Sequence, residues 1–235
     1  MTPSKSATTK HSSSGAERPW SYSQLSAQEL CPKKWAAETF YKSVKRKEGE
    51  QQNYGKEVHD HFDKFAAKDM PLPLDLQHHG CNIEGLRKTI PGGKVVTEQR
   101  IAINRAFEPT GFFDDDVWCR GVIDFMLYTP EKALIVDWKT GKVRPDFDQL
   151  DLMAALTQCL VPTLKRIVGA FYWTKEKNLT TKTYPLSAHR EIWQSFLPRV
   201  NEFQRRVAEQ DFPARQNFLC RKHCPVTGCK HNGVG

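Results

Sequence analysis

The sequence lacks an apolar run near the roughly 18 residues that a membrane span needs, and its first eighteen residues hold no apolar stretch of the secretory-signal kind. A membrane protein is excluded, and the expected setting is the cytoplasm, or a host cell's cytoplasm if the chain is viral. Cysteines number seven, an odd set without a secretory context. That argues against a disulfide framework and leaves reduced thiols or metal ligands. Acid is in deficit: 27 Asp and Glu stand against 35 Lys and Arg, a formal net charge of +8. Such a balance favours a polyanionic partner, because Lys and Arg gain affinity by releasing phosphate counterions. Internal repeats and long linkers are also missing. With 235 residues, 39% of them hydrophobic and 26% charged, the chain fits one globular domain.

Residues 1–18 are mostly Ser, Thr, Lys and Gly and read as a disordered tail, leaving 19–235 as a single domain with a Cys-rich C-terminal segment. Helical patterning starts at Ser26, a candidate N-cap with Glu29 three residues on, and returns over 54–67, where Val58, Phe62, Phe65 and Ala66 share a face. A loop follows at 71–76 and a turn at Pro91-Gly92-Gly93. The period then changes. Residues 94–104, 117–128 and 133–139 read as strands, the last two joined by a turn at 129–132. A helix over 147–160, strands over 166–174 and 180–184, and an amphipathic helix over 188–209 complete the order. The pattern predicts an α/β sandwich, a mixed sheet with helices on both faces.

The informative residues lie on the middle strands. A hairpin turning at 129–132 pairs residues whose numbers sum to about 261, which sets Asp124 opposite Asp137 on one face. Neighbouring strands are about 4.8 Å apart. Two carboxylates that close repel unless a cation sits between them, and magnesium prefers such oxygen ligands. Lys139, two residues after Asp137, shares its face and can orient water and stabilise charge on a phosphate. The same residues could instead form a cross-strand ion pair at a sheet edge. Two features of the flanks favour the site. Leu134-Ile135-Val136 makes Asp137 the end of a buried strand, and Thr140-Gly141 turns the chain after Lys139.

These residues resemble the RecB-like branch of the PD-(D/E)XK nucleases. Gly55-Lys56-Glu57-Val58-His59 matches that branch's GxxxH helix, Gly121-Val122-Ile123-Asp124 its GxxD strand, and Asp137-Trp138-Lys139-Thr140-Gly141 its DxKTG strand. Gln149 opens the following QxxxY helix, although Met153 stands where Tyr is usual. The resemblance covers about residues 20–230 and implies a restriction-endonuclease-like core. By resemblance, His59, Asp124 and Asp137 bind Mg²⁺ or Mn²⁺ with the Trp138 carbonyl. Lys139 is the catalytic lysine, Gln149 positions the site, and Glu98 plays a supporting part.

The resemblance also assigns the cysteines. Part of the branch holds a 4Fe-4S cluster on one early Cys, often followed by Pro, and three late ones. Cys31-Pro32 with Cys220, Cys224 and Cys229 has that arrangement. The late spacing is CxxxC-x4-C instead of the usual CxxC-x5-C, and His223 stands where the middle Cys belongs, so structural zinc is the alternative. Cys81, Cys119 and Cys159 show no partner pattern. The basic run from Lys42 to Lys47 beside Phe40 and Tyr41 suits a single strand or is a solvated helix end. Lys142 and Arg144 are better placed for phosphate. The expected activity is metal-dependent exonucleolytic hydrolysis of DNA in recombination, repair or replication, with proteins of those processes as candidate partners. A non-cleaving DNA-binding module and an endonuclease on the same fold are the alternatives.

Overall fold

A computed structural model describes residues 17–45 and 49–233. Most of the tail segment 1–18, and Arg46 and Lys47 of the basic run, lie outside these residues. The helices are α1 (Tyr22–Leu30), α2 (Pro32–Trp35, continued by a wider turn over Ala36–Phe40), α3 (Glu50–Lys68), α4 (Gly80–Arg87), α5 (Phe147–Leu160) and α6 (Ala188–Glu209). The strands are β1 (Lys94–Ile103), β2 (Pro109–Thr110), β3 (Cys119–Tyr128), β4 (Lys132–Lys139), β5 (Arg166–Trp173) and β6 (Asn178–Pro185).

They form one sheet in the order β2-β1-β3-β4-β5-β6. All neighbours are antiparallel except β4 and β5, which run parallel because α5 carries the chain back between them. Both faces are covered, as the mixed α/β expectation requires. On one face Leu25 of α1, Trp35 of α2, Leu150 and Leu156 of α5, and Phe196, Val200 and Phe203 of α6 bury Ile101, Ile123, Ile135 and Phe171. On the other face Val58, Phe62 and Ala66 of α3 and Ile83 and Leu86 of α4 bury Phe125, Leu127, Val136 and Tyr172.

Two local expectations change. The N-cap of α1 is Ser21, whose hydroxyl accepts the Gln24 N–H, and Ser26 lies inside the helix. Tertiary pairing moves the start: Trp20 gives its N–H to the Trp118 carbonyl and takes the Arg120 N–H, so the chain is pinned to β3 just before the helix. Arg18, at the edge of the presumed tail, is likewise tied through its N–H and C=O to the Gln204 amide. The second change is α4, where the sequence pattern showed no element. Its two glycines give it weak intrinsic propensity, and packing of Ile83 and Leu86 supplies the difference.

Helix α6 holds the first face together, because Phe203 is fully buried and meets the Trp35 ring edge-on at 5.2 Å. Phe203→Ala is expected to lower stability by about 3–5 kcal/mol. Urea unfolding measures this; a loss below about 1 kcal/mol would mean that α2 and α6 do not unfold as one unit with the sheet.

Candidate active site

The β3–β4 hairpin is set by its turn. The Thr129 N–H donates to the Lys132 carbonyl, and the Thr129 hydroxyl accepts the Glu131 and Lys132 N–H groups. The resulting register pairs Tyr128 with Ala133 through to Phe125 with Val136, the predicted sum of 261. There the ladder stops. Asp124 turns its carboxylate into the gap and accepts the Trp138 N–H at 2.9 Å, a buried bond. Asp124 and Asp137 therefore face one another where the two strands part.

The pattern of burial shifts at the same point. In β3, Ile123 and Met126 belong to the core under α5, whereas Phe125 and Leu127 belong to the core under α3. Strict alternation would put 123, 125 and 127 on one face. Strand β1 shifts too: Val95 packs under α3, while Ile101 and Ile103 pack under α5. Glu98 lies between them. Thr97 pairs with Phe125 and Gln99 with Ile123, so Glu98 stands opposite Asp124, and its φ of 48° is left-handed. For a glutamate within a strand this backbone costs about 1–2 kcal/mol, strain of the kind found at functional sites.

Helix α3 supplies His59. Its Nε2 lies 2.8 Å from the Trp138 carbonyl oxygen and its Nδ1 3.3 Å from Asp124 Oδ2. The helix comes this close because of Gly55, where an added Cβ would stand 3.2 Å from the Thr140 hydroxyl oxygen. The glycine and histidine of the GxxxH pattern thus have linked uses, one permitting the approach and the other filling it. The ligand atoms of His59, Glu98 and Asp124 all lie within 4.8 Å of one another, the one such group among the described residues.

Behind them sits a second arrangement. Lys139 Nζ is 2.7 Å from Asp137 Oδ2 and donates to Gln149 Oε1 at 2.8 Å, while Gln149 Nε2 donates to Asp137 Oδ1 at 2.7 Å. The Lys139 ammonium also lies 5.0 Å from the centre of the Phe171 ring. Asp137 is buried, its Oδ2 against the Lys139 ammonium and its Oδ1 against the Gln149 amide. That buried carboxylate, with Glu98 and Asp124 converging on the same cleft beside His59, fits a divalent cation better than an apolar or purely ion-paired core.

The electrostatics agree. Burial, then the Asp124 charge, pushes the Asp137 carboxyl up to about 6, although Lys139 and His59 pull the other way. Glu98 is raised by burial and by Asp124, with Asp63 adding to it. Burial disfavours the His59 imidazolium, but the hydrogen bond and charge of Asp124 outweigh it and raise its pKa. A cation held here competes with protons on these groups over a higher pH range than on free side chains.

Sequence-predicted residues His59, Glu98, Asp124, Asp137, Trp138, Lys139 and Gln149 all converge here. Trp138 offers its carbonyl while its ring is buried against Phe62 and Tyr172. Glu98 joins His59 and Asp124 in the closest group, where the sequence placed Asp137. Met153 is buried in α5. The cleft in front has a volume of about 960 Å³, and Gln52, Lys56 and Asp63 also line it. Those three were missed, though with His59 they recur at helical spacing on one face of α3, a legible signal.

The cysteines lie elsewhere. Cys31 and Cys220 are buried, Cys224 and Cys229 half-buried, and all are free thiols. The C-terminal tail folds back on the end of α1: Arg215 donates to the Glu29 carbonyl, Asn217 Nδ2 to the Leu30 carbonyl, and Lys33 N–H to the Pro213 carbonyl. The Asn217 N–H in turn points at Cys220 Sγ, 3.5 Å away, so one residue links Cys220 to the neighbour of Cys31. Lys142 and Arg144 are exposed just past β4.

Residues 19–229 match the family description of the PD-(D/E)XK nuclease superfamily, and the chain belongs to that superfamily. Nothing among curated proteins matches it. Among solved structures it is similar to SSO0001, at 14% identity and a TM-score of 0.48, with 94% of this chain and 89% of the other covered. It is also similar to an exonuclease candidate from Eubacterium rectale, at 13% identity and 0.48, with 94% and 93% covered.

The raised pKa values set a pH dependence. A cation competes with protons on Asp137, Glu98 and His59, so Mn²⁺ affinity should climb as pH rises through about 6 and level off only once His59, whose pKa is raised by Asp124, has lost its proton. Titration calorimetry across that range measures it; a flat profile would remove these groups from the ligand set.

Proposed function

We propose that the chain is a deoxyribonuclease dependent on Mg²⁺ or Mn²⁺ that removes nucleotides from DNA ends. One observation carries the reading: His59, Glu98 and Asp124 converge at the break in the β3–β4 ladder, directly before an Asp137–Lys139–Gln149 network. A metal held by His59, Glu98, Asp124 and Asp137, with the Trp138 carbonyl, would supply Lewis acidity towards a phosphate oxygen. The protein's own groups do the rest. The Lys139 ammonium, fixed between Asp137 and Gln149, directs a water at phosphorus and offsets charge on the phosphate in the transition state. Gln149 bonds both the Asp137 carboxylate and the Lys139 ammonium and so holds the pair in place. Asp124, tied to the Trp138 N–H, is held rigid. Attack forms the new P–O bond as the P–O bond to the leaving sugar oxygen breaks; the attacking water gives a proton to solvent and the leaving oxygen takes one from solvent. The RecB-like motif set in the sequence favours ends.

Lys139→Ala is expected to cut cleavage of end-labelled linear DNA by about 10²–10³-fold. EDTA should abolish it, and covalently closed circles should survive. Circles cut as fast as linear DNA would make the protein an endonuclease. DNA bound in gel shifts but uncut with every divalent metal tried would make it a binding module.

A second reading concerns the cysteines. We propose a 4Fe-4S cluster on Cys31, Cys220, Cys224 and Cys229, with structural zinc as the alternative. Support comes from the docking of the tail on α1 through Asn217, which a cross-link of that long loop would exploit, although among the described residues the cysteine sulfurs are not gathered within ligand distance of one another. Brown protein with about four irons per chain after anaerobic purification is the expected result; a colourless, iron-free protein that retains zinc would replace the cluster with zinc.

A further inference from the structure

One stretch of the sheet is bare on the α3 side. Ile101, Ile103, Cys119 and Ile123 are buried under α1, α5 and α6. Their alternating neighbours Arg100, Arg120 and Val122 therefore look to the opposite face. Arg100 pairs with Val122 and Ala102 with Arg120, so these side chains form a continuous strip. The core beneath α3 and α4 reaches only Val95 in β1 and Phe125 in β3, so it stops short of them. Val122 is 36% exposed and lines the same cleft as Glu98 and Asp124. The strip thus opens directly into the active site.

Its far end carries two aromatic rings. The Phe112 ring lies 5.6 Å from the Arg100 guanidinium and 5.2 Å from that of Arg120, and Arg120 also donates to the Phe112 carbonyl. Phe113 meets Phe112 edge-on at 5.1 Å and is 76% exposed. The ring has no core to enter, and the arginines hold its neighbour in place. Among the described residues neither arginine is in an ion pair, so both guanidinium groups remain available to an anion. The nearby Asp114 and Asp116 carboxylates are turned back onto the Gly111 N–H and the Thr110 hydroxyl.

We infer that this strip guides a single-stranded DNA segment into the site, with Arg100 and Arg120 taking phosphates and Phe113 stacking on a base. The inference rests on the reading of the site as DNA-cleaving. Paired guanidinium groups beside an exposed ring match the two features of a single strand, its charged backbone and its open base faces. A duplex offers no free base face to Phe113 except at its end. From Asp124 to Arg120 the strand runs about 13 Å. At about 3.4 Å per stacked nucleotide that is some four nucleotides from the scissile phosphate.

The test is fluorescence anisotropy in EDTA, where binding is separated from hydrolysis, using a labelled single strand of twelve nucleotides and a blunt duplex. Phe113→Ala should weaken the single strand about tenfold or more, with Phe113→Tyr within twofold of wild type. Arg100→Ala should lower the slope of log affinity against log salt by about 0.7. The exposure of Phe113 means that its variants should melt at the wild-type temperature. Wild-type affinity of Phe113→Ala for the single strand would overturn the inference and assign the surface to a protein partner. A duplex bound as tightly as the strand, and equally weakened, would overturn it in favour of duplex DNA. Cleavage assays with Mg²⁺ and Mn²⁺ separate the two readings. Wild-type protein that never cuts, yet loses the strand on Phe113→Ala, refutes only the catalytic reading; wild-type protein that cuts, with binding and rate unchanged by Phe113→Ala, refutes only the strip.

Discussion

Mutual repulsion among Glu98, Asp124 and Asp137 is the constraint around which this molecule is arranged. Three carboxylates on adjacent strands cannot all ionise in a half-buried place without a compensating charge. The protein supplies part of it with Lys139 and His59, and leaves room for a cation to supply the rest. The break in the β3–β4 ladder, the left-handed backbone of Glu98 and the burial of the Asp137 carboxylate are each unfavourable alone. Together they describe a site held in a strained, charged condition by the packed sheet around it.

That packing is what makes the strain tolerable. The cores on the two faces are continuous in β4 and β5, where Ile135 and Val136 point to opposite sides and both are fully buried. Phe62 and Tyr172 fix the Trp138 ring, and so fix the backbone whose N–H binds Asp124 and whose carbonyl meets His59. Rigid strands on one side and a glycine-permitted helix on the other set distances that loops would leave loose. The cleft then opens towards a stretch of the sheet that the α3–α4 layer leaves uncovered.

Most of the fold was legible because its elements are long and strongly periodic. The helices over Phe147–Leu160 and Ala188–Glu209 were read with the bounds they have. The hairpin register followed from the turn at Thr129, and the register alone placed Asp124 opposite Asp137. What stayed hidden depended on contacts distant in sequence. Ser21 caps α1 because Trp20 is pinned to β3, and α4 forms because α3 offers it a surface.

The sequence by itself determined the class of fold and the register of the β3–β4 hairpin, since each depends on local period and spacing. Only the tertiary structure decided that Glu98 joins His59 and Asp124, because that needs a left-handed residue opposite Asp124 and a helix arriving from another part of the chain. It also decided that Gln149 bridges Asp137 and Lys139, and that Arg100, Arg120 and Phe113 share one uncovered face. A sequence pattern carries period along a chain; it does not carry which side of a sheet the helices leave bare.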